Sequence, residues 1–228
     1  MMRIFKIIFL MTFLMSCKTD SKETATAATT PEDNLNLSAS EKIAKAHGFE
    51  YWKDVSKIEF TFQVDRDTIR GNGRSWTWFP KQDSVMMQAG EQDVKFHRKK
   101  LDSVPLNADK AFVNDKFWLL IPFQLVWDED KTISEPSKDV APISKQPLNK
   151  ITLTYGEEGG YTPGDAYDIY FDDDYMIREW VFRQGNSKTP TMTTTFENYQ
   201  TYNGLKLAMD HKKQNGNWNL RFSDIHVE

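Results

Sequence analysis

The stretch "NDKFWLLIPFQLVWDED", residues 114–130, constrains the fold more than any other. Between its acidic ends it carries Phe117, Trp118, Leu119, Leu120, Ile121, Pro122, Phe123, Leu125, Val126 and Trp127. An ordinary surface helix is apolar along one stripe. This segment is apolar on nearly every side, so it needs neighbours all round. Pro122 lacks the donor that a central strand requires, and it opposes a long helix. Asn114 or Asp115 is a candidate cap for one or two turns over residues 116–121, ending at Pro122. The inside of a curved sheet would enclose such an element. Residues 128–149 are polar, contain Pro136, Pro142 and Pro147, and read as a long loop.

The flanking sequence supplies that sheet. In "SKIEFTFQV", Ile58, Phe60, Phe62 and Val64 alternate with polar residues, the pattern of a half-buried strand. The turn signal "GNG" at 71–73 makes residues 57–79 a hairpin, whose second arm puts Arg74, Trp76 and Trp78 on one face. Further alternating runs occur at 84–88, 93–98, 151–155, 167–171, 175–183, 191–199, 205–212, 218–222 and 225–227. Most are separated by short turns, which means antiparallel neighbours. About ten or eleven strands in one domain must curl or close, because a long flat sheet leaves its edges exposed. The expected fold is mainly β (α+β): a strongly curved, half-open antiparallel barrel with short helices at its concave face. One helix is signalled before the first strand. Ser38 and Glu41 have capping-box spacing, and Gly48 supplies a left-handed stop after about residue 47.

The amino end reads differently. Arg3 and Lys6 precede an apolar run at 7–15 that is too short to span a bilayer. A basic start followed by a short apolar run is a signal-peptide pattern. It ends in Leu14-Met15-Ser16-Cys17, which resembles the bacterial lipobox. The expected organisation is a leader at 1–16, a lipidated Cys17 opening a flexible tether at 17–37, and a half-barrel domain at 38–228. The alternatives for Cys17, the sole cysteine, are a buried thiol or an incidental residue beside a plain signal peptide. The tether is polar and rich in Thr and Ala, and it would reach on the order of 25 Å. Lys18 in place of Asp favours outer-membrane sorting on the periplasmic side. "CKTDSKE" also partly resembles a surface-export signal, which keeps the cell surface as the alternative.

The lipobox, tether and short helix, with "GFEYWKDVSKIEF", "NDKFWLLIPFQL", "YDIYFDDDYMIREWVF" and "YQTYNGLKLAMDHK", together resemble a family of uncharacterised Bacteroidetes lipoproteins. The order of hairpins in turn resembles the LolA/LolB-like superfamily. That resemblance covers about residues 40–228. It implies an eleven-stranded half-open barrel whose apolar concave face holds acyl chains. The lipobox makes the anchored, receptor-like members the nearer match. No residue of their functional loop carries over.

Other chemistry finds little support. The net charge is −4, a poor start for binding a phosphate backbone, so no nucleic-acid partner is expected. His47, His97, His211 and His226 show no zinc spacing. Asp172-Asp173-Asp174 sits between two strands and reads as a turn rather than a calcium loop. "GEEGGYTPGD" at 156–165 lacks a phosphate-loop ending. Neither a metal nor a cofactor is expected, and no catalytic set assembles. What remains is aromatic: Trp, Tyr and Phe make up 13% of the chain. Trp76, Trp78, Trp118, Leu120, Phe123, Trp127, Trp180 and Phe182 are the candidate lining of a cavity for a lipid or acyl chain. Arg74 or Arg178 is a candidate anchor for its head group. The rival functions are a glycan-binding or interaction module that uses exposed Trp and Tyr, and an enzyme with converging polar groups.

Overall fold

The computed structural model describes residues 36–100, 103–158 and 161–228. The leader, Cys17 and all of the tether but its last two residues lie outside the described residues. Helix α1 (Ala39–Ala46) starts at the expected capping box. The Ser38 hydroxyl accepts from the Glu41 amide, and the Glu41 carboxylate accepts from the Ser38 amide. A short 3-10 turn at Phe49–Asp54 leads into β1 (Ile58–Asp65), β2 (Arg74–Phe79), β3 (Ser84–Ala89) and β4 (Gln92–His97). Helix α2 (Ser103–Trp127) follows, then β5 (Lys131–Ile133), β6 (Ser137–Val140), β7 (Pro147–Tyr155), β8 (Ala166–Phe171) and β9 (Ile177–Arg183). The chain ends with β10 (Met192–Thr195), β11 (Glu197–Tyr202), β12 (Leu205–Lys212) and β13 (Asn219–Val227).

The strands form two antiparallel sheets. One has the order β11-β12-β13-β1-β2-β3-β4; the other runs β10-β9-β8-β7-β5, with β6 also paired to β7. Phe196 alone separates β10 from β11, so one bent strand changes sheets at that residue. Its amide donates to the Arg178 carbonyl on one side (2.7 Å), and the Lys212 amide donates to the Thr195 hydroxyl on the other (3.0 Å). The sequence shows one alternating run at 191–199; the structure breaks it there. The result is a mainly β, strongly curved and half-open assembly that does not close into a barrel.

Helix α2 lies within the curve. Its Leu119, Leu120, Phe112 and Phe123 pack with Phe60, Trp76 and Val85 of the first sheet. Its Ile121 and Leu125 pack with Ile151, Ile169 and Trp180 of the second, and with Ile43 of α1. Being apolar all round is therefore consistent with being surrounded. The helix is longer than the sequence suggests, because Pro122 does not end it. The break falls at Leu120 (φ −116°, ψ 19°), in the turn ahead of the proline. Pro122 then occupies the first turn of the second half, where a missing N–H costs little. Asp115 is not a cap but sits in mid-helix. The polar segment 128–149 is likewise not wholly a loop. Its short strands β5 and β6 both pair with β7, and Pro136 and Pro142 fall outside them. Among the described residues no helix is long and apolar enough to cross a membrane.

Two buried histidines sit at the joints. His47 follows α1 and donates from Nδ1 to the Ile43 carbonyl (2.8 Å). His211 donates from Nδ1 to the Thr195 carbonyl (3.2 Å), which leaves Nε2 as a buried acceptor without a partner among the described residues. Burial pushes His47 down to about 4 and His211 down to about 3. Gly48 closes the helix in the left-handed region (φ +88°), and a Cβ there would meet the Gly204 carbonyl oxygen at 2.1 Å.

Two outcomes follow. Gly48→Ala should lower stability by about 2 kcal/mol or more, since left-handed strain adds to a backbone clash; the urea midpoint at unchanged slope measures it. Both histidines titrate lower in the folded chain than the usual 6.5. The unfolded chain therefore takes up more protons as pH falls. Stability is full above about pH 6.5 and falls from there toward about pH 4, by roughly 1.4 kcal/mol per pH unit for each histidine. Urea midpoints at pH 7 and pH 5 should show the drop, and His211→Phe should remove about half of that slope.

Candidate functional site

An apolar cleft of ≈ 460 Å³ opens between the two sheets beside α2. Phe62 and Val64 of β1 and Trp218 and Leu220 at the start of β13 form one side. Tyr167 of β8, Trp180 and Phe182 of β9 and Met192 of β10 form the other. Val113, Phe117 and Trp118 of α2 make the floor. The second wall follows from strand geometry. Trp180 and Phe182 are two apart and share a face, and Tyr167 lies directly opposite Phe182 in the antiparallel register. Their rings form a ladder: Trp118 to Trp180 at 4.4 Å, Trp180 to Tyr167 at 5.0 Å and Tyr167 to Phe182 at 5.1 Å. Phe117 joins it, 4.8 Å from Tyr167. Lys110, Asn114, Thr162, Asp165 and Gln184 supply the polar part of the lining. Asp165 is buried and accepts from the Gly185 amide (2.8 Å); burial raises its carboxyl above the usual range.

Of the eight candidate residues, Trp118, Trp180 and Phe182 meet in this cleft. The other five lie in the packed core or against it. Trp76, Leu120 and Phe123 are fully buried, and Trp78 nearly so. Phe112 of α2 contacts both the Trp76 and the Trp78 ring at 5.4 Å, so the protein's own side chain occupies that part of the hollow. Trp127 is half-buried against Trp52, 4.8 Å away. Phe62, Val64, Phe117, Tyr167, Met192, Trp218 and Leu220 also line the cleft, though they were not among the candidates. Most of them stood on the inward face of an alternating run. The pattern shows which face is inward; it does not show which end of a strand the helix leaves uncovered.

Neither candidate arginine lines the cleft, and each is paired with an aspartate. Arg178 is paired with Asp172 (2.6 Å). Asp172 also accepts from the amides of Asp174 and Met176, which makes the triple-aspartate segment a turn. Arg74 donates twice to the fully buried carboxylate of Asp115, at 2.8 and 2.7 Å. Trp76 Nε1 and Asn114 Nδ2 donate to the same carboxylate, each at 2.9 Å. Three of these four bonds come from β2 and fix the rotation of α2 against it. All seven tryptophans are buried or half-buried, while Tyr51 and Tyr161 are exposed. Among the described residues no group of three or more His, Cys, Asp or Glu is placed to hold a metal.

No protein-family profile matches the chain, and no curated protein matches it in sequence. Similar solved structures include a LolA superfamily protein from Nitrosomonas europaea, at 8% identity and a TM-score of 0.48, covering 84% of this chain and 94% of that one. A DUF1329 family protein from Desulfovibrio piger is similar at 6% identity and a TM-score of 0.42, with the same coverages. The first belongs to the superfamily that the sequence resembles. At these values neither assigns this chain a ligand or a role.

Asp115→Ala should cost about 3–5 kcal/mol, because it leaves Arg74 and the Trp76 N–H without their partner. Replacing both charges, as Arg74→Met with Asp115→Leu, should recover the part of that loss due to the unpaired Arg74, while the buried Trp76 N–H stays without its acceptor. Denaturant titration of the two variants checks it.

Proposed function

We propose that this protein is a membrane-anchored, non-catalytic lipoprotein that binds a lipid or acyl chain in the cleft beside α2. The observation that carries this reading is an unfilled concavity whose wall is a ladder of four stacked or edge-packed rings, Trp118, Trp180, Tyr167 and Phe182. Its volume of ≈ 460 Å³ falls within the roughly 300–1,000 Å³ usual for ligand sites. Burying a methylene contributes about 0.8 kcal/mol. A chain of a dozen carbons therefore gains on the order of 10 kcal/mol before association and ordering costs. In this reading, lipid on Cys17 and a tether of about twenty residues hold the domain near the membrane that supplies its ligand. The periplasmic face of the outer membrane is the expected place.

Native mass spectrometry of gently purified protein should show a co-purified lipid. In solution the protein should bind the neutral fluorophore N-phenyl-1-naphthylamine, and Trp118→Asp or Phe182→Asp should weaken it at least about tenfold by placing a charge against the apolar chain. Undiminished binding by both variants, each with an unchanged circular dichroism spectrum, would remove the cleft from the function.

A further inference from the structure

A second hollow adjoins the cleft on the other side of Phe117. It is a recess of ≈ 310 Å³ between the Arg98 end of β4, the Tyr155 end of β7 and the outer face of α2. The two hollows share Val113, Phe117, Tyr161 and Thr162 as walls. Their chemistry differs, because Lys116 and Gln124 both line the recess and neither lines the cleft. Lys116 is only 8% exposed, yet no carboxylate pairs with it among the described residues. Its ammonium instead lies over the faces of Trp78 (5.4 Å) and Trp127 (5.7 Å). Gln124 is 2% exposed, and its Nε2 has no hydrogen-bond partner among the described residues. Buried cations and buried amide donors are ordinarily paired, because an unpaired one forfeits its hydration without compensation.

We infer that Lys116 and Gln124 form a polar subsite for the carboxylate of a fatty acid whose hydrocarbon chain lies in the apolar cleft. This rests on the reading of the cleft given above and names the ligand class. A ligand occupying both hollows passes the shared rings of Phe117 and Tyr161. The carboxylate supplies the counter-charge that the fold omits, and its second oxygen has capacity for the Gln124 amide. The other charges around the recess leave the amine free for this role. Arg98 is held by Asp109 (2.7 Å) and lies 3.9 Å from Asp83. Asp128 accepts from the Tyr155 hydroxyl (2.6 Å). Glu129, Asp130 and Glu158 are exposed, and solvent screens them. Burial pushes the Lys116 amine down to about 8, so it still carries most of its charge at neutral pH.

The test is displacement of N-phenyl-1-naphthylamine from the purified protein by dodecanoate and by methyl dodecanoate, at pH 7. Lys116→Met should weaken dodecanoate about tenfold and leave the methyl ester within about twofold, the selectivity expected for a lost charge-assisted hydrogen bond. Gln124→Met should weaken dodecanoate by a smaller factor, and it decides the matter if Lys116→Met does not fold. Equal weakening of acid and ester would make Lys116 a wall of the cleft and overturn the subsite. So would an unchanged affinity for dodecanoate. If both ligands displace the fluorophore from the wild type and the variants make no difference, only the subsite falls. If neither ligand displaces it, the cleft reading falls with it.

Discussion

The buried carboxylate of Asp115 is the contact on which the rest of the arrangement turns. Helix α2 is apolar on both flanks, and apolar burial has no direction. By that force alone the helix could rotate or slide within the curve at small cost. The paired bonds from Arg74 and the third from Trp76 Nε1 allow a single rotation and a single height against β2. A buried ion pair adds little net stability compared with an apolar pair of the same shape, but breaking it is costly. Its effect here is to select one position of the helix among several that would bury similar area.

That position is what leaves a cleft. With Asp115 facing β2, Phe112 fills the space under Trp76 and Trp78. Toward the β13 side the same turns of α2 present Lys110, Val113 and Asn114. These side chains are too polar or too short to fill the gap between the sheets. Phe117 and Trp118 then close its floor. The hollow is thus set by which residues the clamp turns toward it. The same rotation places Lys116 against Trp78 and Trp127, without an ion-pair partner among the described residues.

Much of this was legible beforehand, and the limits have physical reasons. The capping box at Ser38, the stop at Gly48 and the inward faces of β1, β2 and β9 follow from local rules that tertiary packing did not override. An all-round apolar segment correctly implied a surrounding sheet. The continuity of α2 through Pro122 was not legible. The cost of the proline depends on where the preceding kink falls, and packing on both sides decides that. Strands β5 and β6 were hidden because each is an edge segment with no alternation of its own. Trp180, Phe182 and Trp118 were legible as cleft residues, whereas Trp76 and Trp78 were not separable from them. The difference between lining a hollow and filling a core lies in what stands opposite, here Phe112. Asp115 itself looked like a cap, because a lone acidic residue before an apolar run is more often at a helix start than clamped in its middle.

The inner wall of the cleft stands on the seam between the sheets, where Phe196 carries the chain from β10 to β11. Beside the seam, within the first sheet, β12 pairs with β13 only over Asp210–Lys212, opposite residues 219–221. Three buried polar atoms near the seam have no partner among the described residues: Trp180 Nε1, Thr194 Oγ1 and His211 Nε2. Trp180 and Thr194 are opposite each other in the β9–β10 register, and Trp118 packs edge-on against both Trp180 (4.4 Å) and His211 (5.4 Å). Each unsatisfied buried group costs about 1–3 kcal/mol. The joint that carries Trp118 and Trp180 is therefore held mainly by ring packing and by the Phe196 crossing. It lacks the dense ladder that holds β1 to β13 and β7 to β8. The two sides of the cleft are thus held by different forces, ring packing at the seam and directional hydrogen bonds at the Asp115 clamp.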